Sequence, residues 1–430
     1  MKLTNEEEAM LAGAEGRGVQ KAMEIVTALG KIYEARDLVP VSSVQVAGVS
    51  YKNLGEAGLE FLREWAAQGA RVRVPTTLNP AGLDLERWQE LGFAADFAHK
   101  QDQVLQAFAA MGIQTTCTCT PYFVGNVPRR GEHIAWAESS AVSFANSVLG
   151  ARTNREGGPG ALAAAITGRT ARFGLHLERR ATLVVEVRCP VVSAADFGAL
   201  GILVGQQARN GIPYFRHDHI HLPAGHEQQN TDRLKMLGAA MAASGAVALY
   251  HIEGVTPESG EPGIIASDAR TIIIERLDEG YKILNSSNSS DSSGSDESNE
   301  DESNEIDLVW IGCPHCSIDE LAQVVSLLNG RPVRAALWVT MARAVRNEAA
   351  RQGLVAVLEQ AGGRVVADTC LVVAPVKSLG FRRMATVSGK GAYYVPAHSG
   401  LAVRYGPLEA CIEAAVTGYW PEDLPWANMV

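Results

Sequence analysis

Apolar runs of strand length alternate with longer stretches of helical periodicity along most of this chain. That alternation points to parallel sheets covered by helices, because parallel strands can be joined only through a crossover. VSSVQVAGVS reads as a strand ending in a glycine-containing turn, NLGEAGLEFLREWAAQG as a helix, and ARVRVPTTLNP as strand and turn. Upstream, Thr4 or Asn5 caps a first helix that its glycines break. In the middle, DQVLQAFAAMG reads as helix, IQTTCTCTPY as a strand running into a loop, and 134–149 as a buried helix. NREGGPG follows as a loop, ALAAAITG as helix, 232–258 as helix, strand and loop, and 270–284 as hairpin-like. Beyond residue 305, the strands IDLVWIG, VRAALWVT and GRVVADTC alternate with the helices SIDELAQVVSLLNG and MARAVRNEAARQG in a doubly wound pattern.

At 430 residues the chain exceeds one ordinary core. We read 1–284 as a first α/β region, 285–305 as an acidic disordered insert and 306–430 as a second α/β region. The insert holds seven acidic residues and no basic one, and cannot bury enough apolar surface to fold. It accounts for most of the formal net charge of -10, so the rest shows no basic face for nucleic acid. No apolar run is long enough to span a membrane. The acidic start MKLTNEEEAMLAG is unlike a signal peptide, so a cytoplasmic location is expected.

The seven cysteines are Cys117, Cys119, Cys189, Cys313, Cys316, Cys370 and Cys411. An odd number without a leader argues for reduced thiols rather than a disulfide scaffold. Cys117 and Cys119 end one expected strand, Cys313 and Cys316 follow IDLVWIG, and Cys370 ends GRVVADTC. Open α/β sheets bind ligands outside the carboxyl ends of their strands. Three strand ends thus bring thiols to one crevice, where three thiolates can hold an iron–sulfur cluster with one iron left open as a Lewis acid. The rival local reading is a thiol–disulfide oxidoreductase using Cys313 and Cys316, with Ser317 capping the next helix. It leaves Cys119, Cys370 and most of the chain unexplained. The C-x-C spacing of Cys117 and Cys119 is poor for structural zinc.

Seven segments carry a family resemblance: SSVQVAGVSYKNLG, VPTTLNPAG, TCTCTPYFVGNVPRRGEHIAWAESSAVSFANSVLGARTNREGGP, KMLGAAMAASGAVALYHIEGVTPE, WIGCPHCS, ADTC and SGKGAYYVPAHSG. Together, and in order, they resemble the aconitase X family, in particular the large, catalytic subunit of its archaeal members. The resemblance implies an aconitase-like α/β fold, with several mostly parallel doubly wound sheets packed around a central cleft. It implies a [4Fe–4S] cluster on Cys119, Cys313 and Cys370, with Cys117 and Cys316 as alternatives. It implies a hydro-lyase. Archaeal members convert (R)-5-phosphomevalonate to trans-anhydromevalonate 5-phosphate in a modified mevalonate pathway, and bacterial relatives dehydrate cis-3-hydroxy-L-proline. It also implies a separate small swivel-domain subunit that supplies the catalytic base, without which this chain is inactive or nearly so.

From the same motifs, Glu138 and Ser139 would orient the substrate or its hydroxyl. Gly48, Val49, Ser50, Asn79, Pro80, Ser388, Gly389 and Lys390 would bind a substrate carrying carboxylate and phosphate. Each has a plainer reading: turn geometry for the glycines and prolines, a helix-surface carboxylate for Glu138, a solvated loop lysine for Lys390. Arg152 and Arg155 suit a phosphate, and equally suit ion pairs with Glu156 or Glu132. The run from His217 to His221 reads as a surface loop, and His251 as a satisfied core or cleft histidine. A regulatory subunit that keeps the fold without the chemistry is a third class.

Overall fold

The computed structural model describes residues 1–216, 218–285 and 304–421. The acidic segment expected at 285–305 lies almost wholly outside the described residues, as do His217 and residues 422–430.

Three parallel sheets form the body. The first has three strands, in the order Thr76–Leu78, Val44–Val46, Ala135–Trp136. The second has four, in the order His251–Ile252, Pro213–Arg216, Ala181–Val187, Ile265–Ile274. The third has five, in the order Arg364–Ala367, Ala336–Met341, Leu308–Ile311, Arg383–Thr386, Ala402–Tyr405. Winding starts at the central strand Leu308–Ile311, runs out to one edge and then returns to build the other. The topological switch point therefore falls between Leu308–Ile311 and Arg383–Thr386, where such sheets open a crevice.

The sequence explains much of this. All four residues of Leu308–Ile311 are buried, and a strand covered on both faces reads as a continuous apolar run. The following helix, Ile318–Leu328, starts in a capping box between Ser317 and Glu320. The first helical stretch breaks as expected into Asn5–Leu11, capped by Thr4, and Arg17–Ile32. Helices Ala194–Ala208 and Glu227–Gly245 touch backbone to backbone: a Cβ on Gly245 would lie 1.8 Å from the carbonyl oxygen of Gly205. One apolar core draws its residues from between Met10 and Ala171, a small separate one gathers Tyr122, Trp136 and Phe144, and a third runs continuously under the second and third sheets.

Three expectations need correction. IQTTC is not a strand. It makes a single parallel bridge, Gln114 to Thr77, and then turns at Cys117 with φ 44°. Gln114 N and Thr118 N still donate to Thr76 O (3.1 Å) and Leu78 O (2.9 Å), but between them the Thr116 hydroxyl takes the Leu78 N–H at 3.1 Å, so a side chain interrupts the ladder. The stretch 134–149 is strand Ala135–Trp136 followed by helix Ser139–Ser147, because Glu138 caps a helix there by accepting from Ser140 N. The stretch 270–284 is no hairpin: strand Ile265–Ile274 gives way to helix Asp278–Asn285, with Leu277, Tyr281 and Leu284 packed at helical spacing against the core. The second sheet was not foreseen as a separate unit.

Candidate active site

The carboxyl ends of the first and third sheets face one another. Gly48, Val49 and Ser50 follow strand Val44–Val46, Asn79 and Pro80 follow Thr76–Leu78, and Glu138 and Ser139 follow Ala135–Trp136. Opposite them, Cys313 follows Leu308–Ile311, Cys370 follows Arg364–Ala367, and Ser388, Gly389 and Lys390 follow Arg383–Thr386. Hydrogen bonds stitch the two sets of loops together. Ser50 Oγ donates to Val373 O (2.9 Å), Lys52 Nζ to Ala374 O (3.0 Å), and Ala81 N to Asp368 O (2.7 Å).

At the centre Glu138 meets Lys390. The ammonium bonds Glu138 Oε1 and reaches Ser140 Oγ at 3.3 Å, while Asn79 Nδ2 donates to Glu138 Oε2 at 2.9 Å. Neither reading of a solvated side chain survives, since Lys390 and Glu138 keep only 8% and 12% of their side-chain exposure. Burial alone would raise the Glu138 carboxyl. The Lys390 charge and the hydrogen bonds from Lys390, Asn79 and Ser140 outweigh it and hold the pKa at about 2. Burial alone would lower Lys390, but Glu138 and the thiols of Cys313 and Cys119 raise it above the usual lysine value. Lys390 stands in the first turn of helix Gly389–Ser399, whose cap Ser388 accepts from Gly391 N at 2.9 Å and donates to Cys313 O. Gly389 is where that helix approaches Ala194–Ala208: an added Cβ would lie 3.1 Å from Gly198 Cα.

Three buried thiols surround this pair. The Cys313 thiol donates to Cys370. That bond is the main cause raising Cys313 well above the usual thiol value and lowering Cys370 to about 7. Burial, then Cys370 and Glu138, push Cys119 up to about 12, against the pull of Lys390. Cys119 also accepts from His315 N at 3.2 Å. The other candidates face elsewhere. Cys117, raised by burial, answers to Asp368 and Arg343. Cys316, also raised by burial, answers to Glu320, Lys235 and Asp232 before Cys119, and not to Lys390. Neither Cys313 nor Cys316 has the low pKa that a thiol–disulfide oxidoreductase asks of its nucleophile.

Sequence reasoning passed over the residues that hold these loops. His315 lies inside the C-x-x-C as an apparent spacer. Its ring is fully buried between the Thr118 hydroxyl (2.9 Å at Nδ1) and Thr369 O (2.8 Å at Nε2). A carbonyl only accepts, so Nε2 carries the proton and Nδ1 accepts from Thr118. Burial lowers His315 to about 4, keeping the ring neutral. Lys235 is buried between Asp232 and Glu320 and donates to His315 O at 3.2 Å. Its position in KMLGAAM gave no sign of this.

Other expected residues lie apart. Arg152 pairs with Glu258 at 3.8 Å, not with Glu132 or Glu156, and Arg155 is exposed. Asp218, His219 and His221 are exposed, in keeping with a surface loop. His251 is buried and bonds Arg179 O at 2.9 Å through Nε2, so it is a satisfied core histidine.

Among the described residues, no three His, Cys, Asp or Glu side chains are grouped to grip a metal ion. Three thiols from separate loops, with the nearby carboxylate of Glu138 already paired to Lys390, are the soft donor set of an iron–sulfur cluster rather than of a hard cation. Two buried atoms beside them have no hydrogen-bond partner among the described residues: Thr369 Oγ1, next to Cys370, and Asn79 Oδ1, beside Glu138. At this position such atoms can be satisfied by a water or by a bound group. The residues present therefore fit such a group. Among the described residues, no helix is long and apolar enough to cross a membrane.

Comparison with known proteins gives matches over most of the chain. Residues 1–179 match the aconitase X first domain, 181–279 the second and 306–417 the third. The phosphomevalonate dehydratase large subunit of Methanothermobacter thermautotrophicus is 50% identical, covering 94% of this chain and 96% of that one. Its counterpart from Thermococcus kodakarensis is 46% identical, covering 96% and 100%. The cis-3-hydroxy-L-proline dehydratase of Pseudomonas aeruginosa is 36% identical, covering 97% of this chain but 70% of its own length. Among solved structures, the holo-form of Thermococcus kodakaraensis aconitase X superposes with a TM-score of 0.84 at 45% identity, over 96% of this chain and 100% of the other.

Proposed function

The chain belongs to the aconitase X family, and from that premise we propose that it is the large subunit of a hydro-lyase that dehydrates (R)-5-phosphomevalonate to trans-anhydromevalonate 5-phosphate, a step toward isoprenoid precursors. The observation that carries the substrate is the 43–50% identity to four phosphomevalonate dehydratase large subunits and 38% to a fifth, against 35–36% to two hydroxyproline dehydratases. Those relatives' designation as large subunits supports a small partner chain, which in this reading carries a swivel domain and brings the base.

Cys119, Cys313 and Cys370 would hold a [4Fe–4S] cluster. They are favoured over Cys117 and Cys316 because they share Lys390 and one another as neighbours. When bound, the cluster supplies a Lewis-acidic iron that makes the substrate hydroxyl a better leaving group. The chain's own residues do the rest. Glu138 stays ionised and, with Ser139, orients that hydroxyl, while the free Oδ1 of Asn79 accepts a further hydrogen bond from substrate. Ser388, Gly389 and Lys390 set a positive helix start against the carboxylate. Gly48, Val49, Ser50 and Pro80 shape the opposite wall, where the turn into helix Tyr51–Ala67 suits an anion. A cytoplasmic location accords with thiols that remain reduced.

The test is turnover by the reconstituted two-chain complex, made anaerobically, on phosphomevalonate and on cis-3-hydroxy-L-proline. We expect water loss from the phosphorylated acid and little from either chain alone. Dehydration of the proline alone would overturn the substrate.

A further inference from the structure

Two of the lysine ammoniums that bond the crevice loops, Lys390 and Lys52, are differently engaged. Lys390 is locked to Glu138. Lys52 forms no ion pair among the described residues. Its Nζ donates to the main-chain oxygen of Ala374, a neutral acceptor, at 3.0 Å. Lys52 is exposed and stands in the first turn of helix Tyr51–Ala67, directly after Gly48, Val49 and Ser50. Ser50 Oγ bonds Val373 O at 2.9 Å, so this turn lies against the loop that begins at Cys370. An available cation and the positive end of a helix thus lie against the far part of the loop that begins at Cys370, at Val373 and Ala374.

The two substrates of the family differ in charge at this point. Phosphomevalonate has two anionic ends, a carboxylate and a phosphate. Hydroxyproline has one, with an ammonium in place of the other. Lys390 and its helix suffice for one carboxylate. A second anionic end needs a second cation, and Lys52 is placed to provide it. An ammonium has three donors, so Lys52 can keep its bond to Ala374 while taking a phosphate oxygen. The same charge repels the ammonium of a zwitterion. We propose that Lys52 binds the substrate phosphate and so selects a phosphorylated hydroxy acid over a zwitterionic one. The assignment rests on the substrate reading above.

The experiment uses the cluster-loaded two-chain enzyme with Lys52 intact, as Lys52→Gln and as Lys52→Arg. Steady-state kinetics on phosphomevalonate, competition by inorganic phosphate and iron per chain are measured together. Losing a charge-assisted bond should raise KM about 10- to 100-fold in Lys52→Gln. The kcat should stay within about twofold, because the interaction is remote from the reacting bond. Inhibition by inorganic phosphate should weaken in parallel, iron content should hold, and Lys52→Arg should recover most of the affinity. Unchanged KM and unchanged phosphate inhibition in Lys52→Gln would overturn the assignment. So would a joint fall of kcat and iron at constant KM, which would make Lys52 only a brace for the Cys370 loop. A wild-type enzyme inert toward phosphomevalonate defeats the substrate reading itself, whereas a failure confined to the variants defeats Lys52 alone.

Discussion

Lys390 shows how much one side chain can hold. It is the counter-charge of a buried carboxylate and a neighbour of the thiols at once. Lys390→Met should destabilise the cluster-free chain by about 3–5 kcal/mol, because it strands Glu138 as a buried unpaired anion. The double variant with Glu138→Gln should be less impaired, as urea midpoints at constant m would report. The pH dependence has a definite sign. The folded Glu138 pKa, about 2, lies below its ordinary value of 4.5. Its contribution is therefore fully present above about pH 4.5 and is lost as pH falls toward about 2. The stability gap between the parent chain and Glu138→Gln should shrink over that window. Little of this is visible in the sequence. Glu138 and Lys390 lie 252 positions apart, and composition cannot say that one neutralises the other.

At the scale of elements, the turns after strands carry the constraint. Gly312 has φ 110°, and a Cβ there would stand 2.6 Å from Thr340 O and 3.0 Å from Cys316 Sγ. Gly312→Ala should cost about 1–3 kcal/mol or more in backbone strain alone. It should also lower iron per chain after reconstitution, since the strained turn delivers Cys313. Normal iron at normal stability would show the turn to be tolerant. This is also the scale at which the sequence was most legible. IDLVWIG and VRAALWVT announce buried parallel strands, and Ser317 announces its helix. The misreading of IQTTC has a physical origin. Thr and Cys favour extended backbone, but the Thr116 hydroxyl takes the Leu78 N–H in place of a main-chain acceptor, and the hydroxyls of Thr118 and Thr120 bond each other and His315, so no continuous ladder forms. In the second sheet ATLVVEV carries a clear strand signal beside the ten-residue strand Ile265–Ile274, but PYFR on its other side and HI beyond that are too short to stand out from loop.

Across the whole molecule, one arginine ties the first sheet's loops to the third. Arg343 lies at the start of helix Arg343–Arg351 and bonds Asp84, Glu86 and Asp368. Without it, the buried carboxylates Asp84 and Asp368 would face each other uncompensated. Arg343→Met should therefore cost about 3–5 kcal/mol. Burial already raises Asp368 to about 6 against the pull of Arg343, and losing that arginine raises it further. A carboxyl with a raised folded pKa destabilises when ionised and is relieved by protonation. The deficit should be larger at pH 8 than at pH 5 in parallel urea titrations, and an equal deficit at both would exclude this account.

The apposition of two sheet ends has a consequence for how the protein is made. The crevice takes Cys119 from early in the chain, Cys313 and Cys370 from late in it, and Lys390 later still. Domains emerging from the ribosome fold in order, so the first sheet can be complete while its opposite wall is still being translated. Until residue 390 has left the exit tunnel, Cys119 waits beside a carboxylate with no counter-charge. If the three thiols hold the proposed cluster, its delivery would be a task for the finished polypeptide, and a nascent chain halted before the third sheet would offer a scavenging iron donor a single thiol from the set.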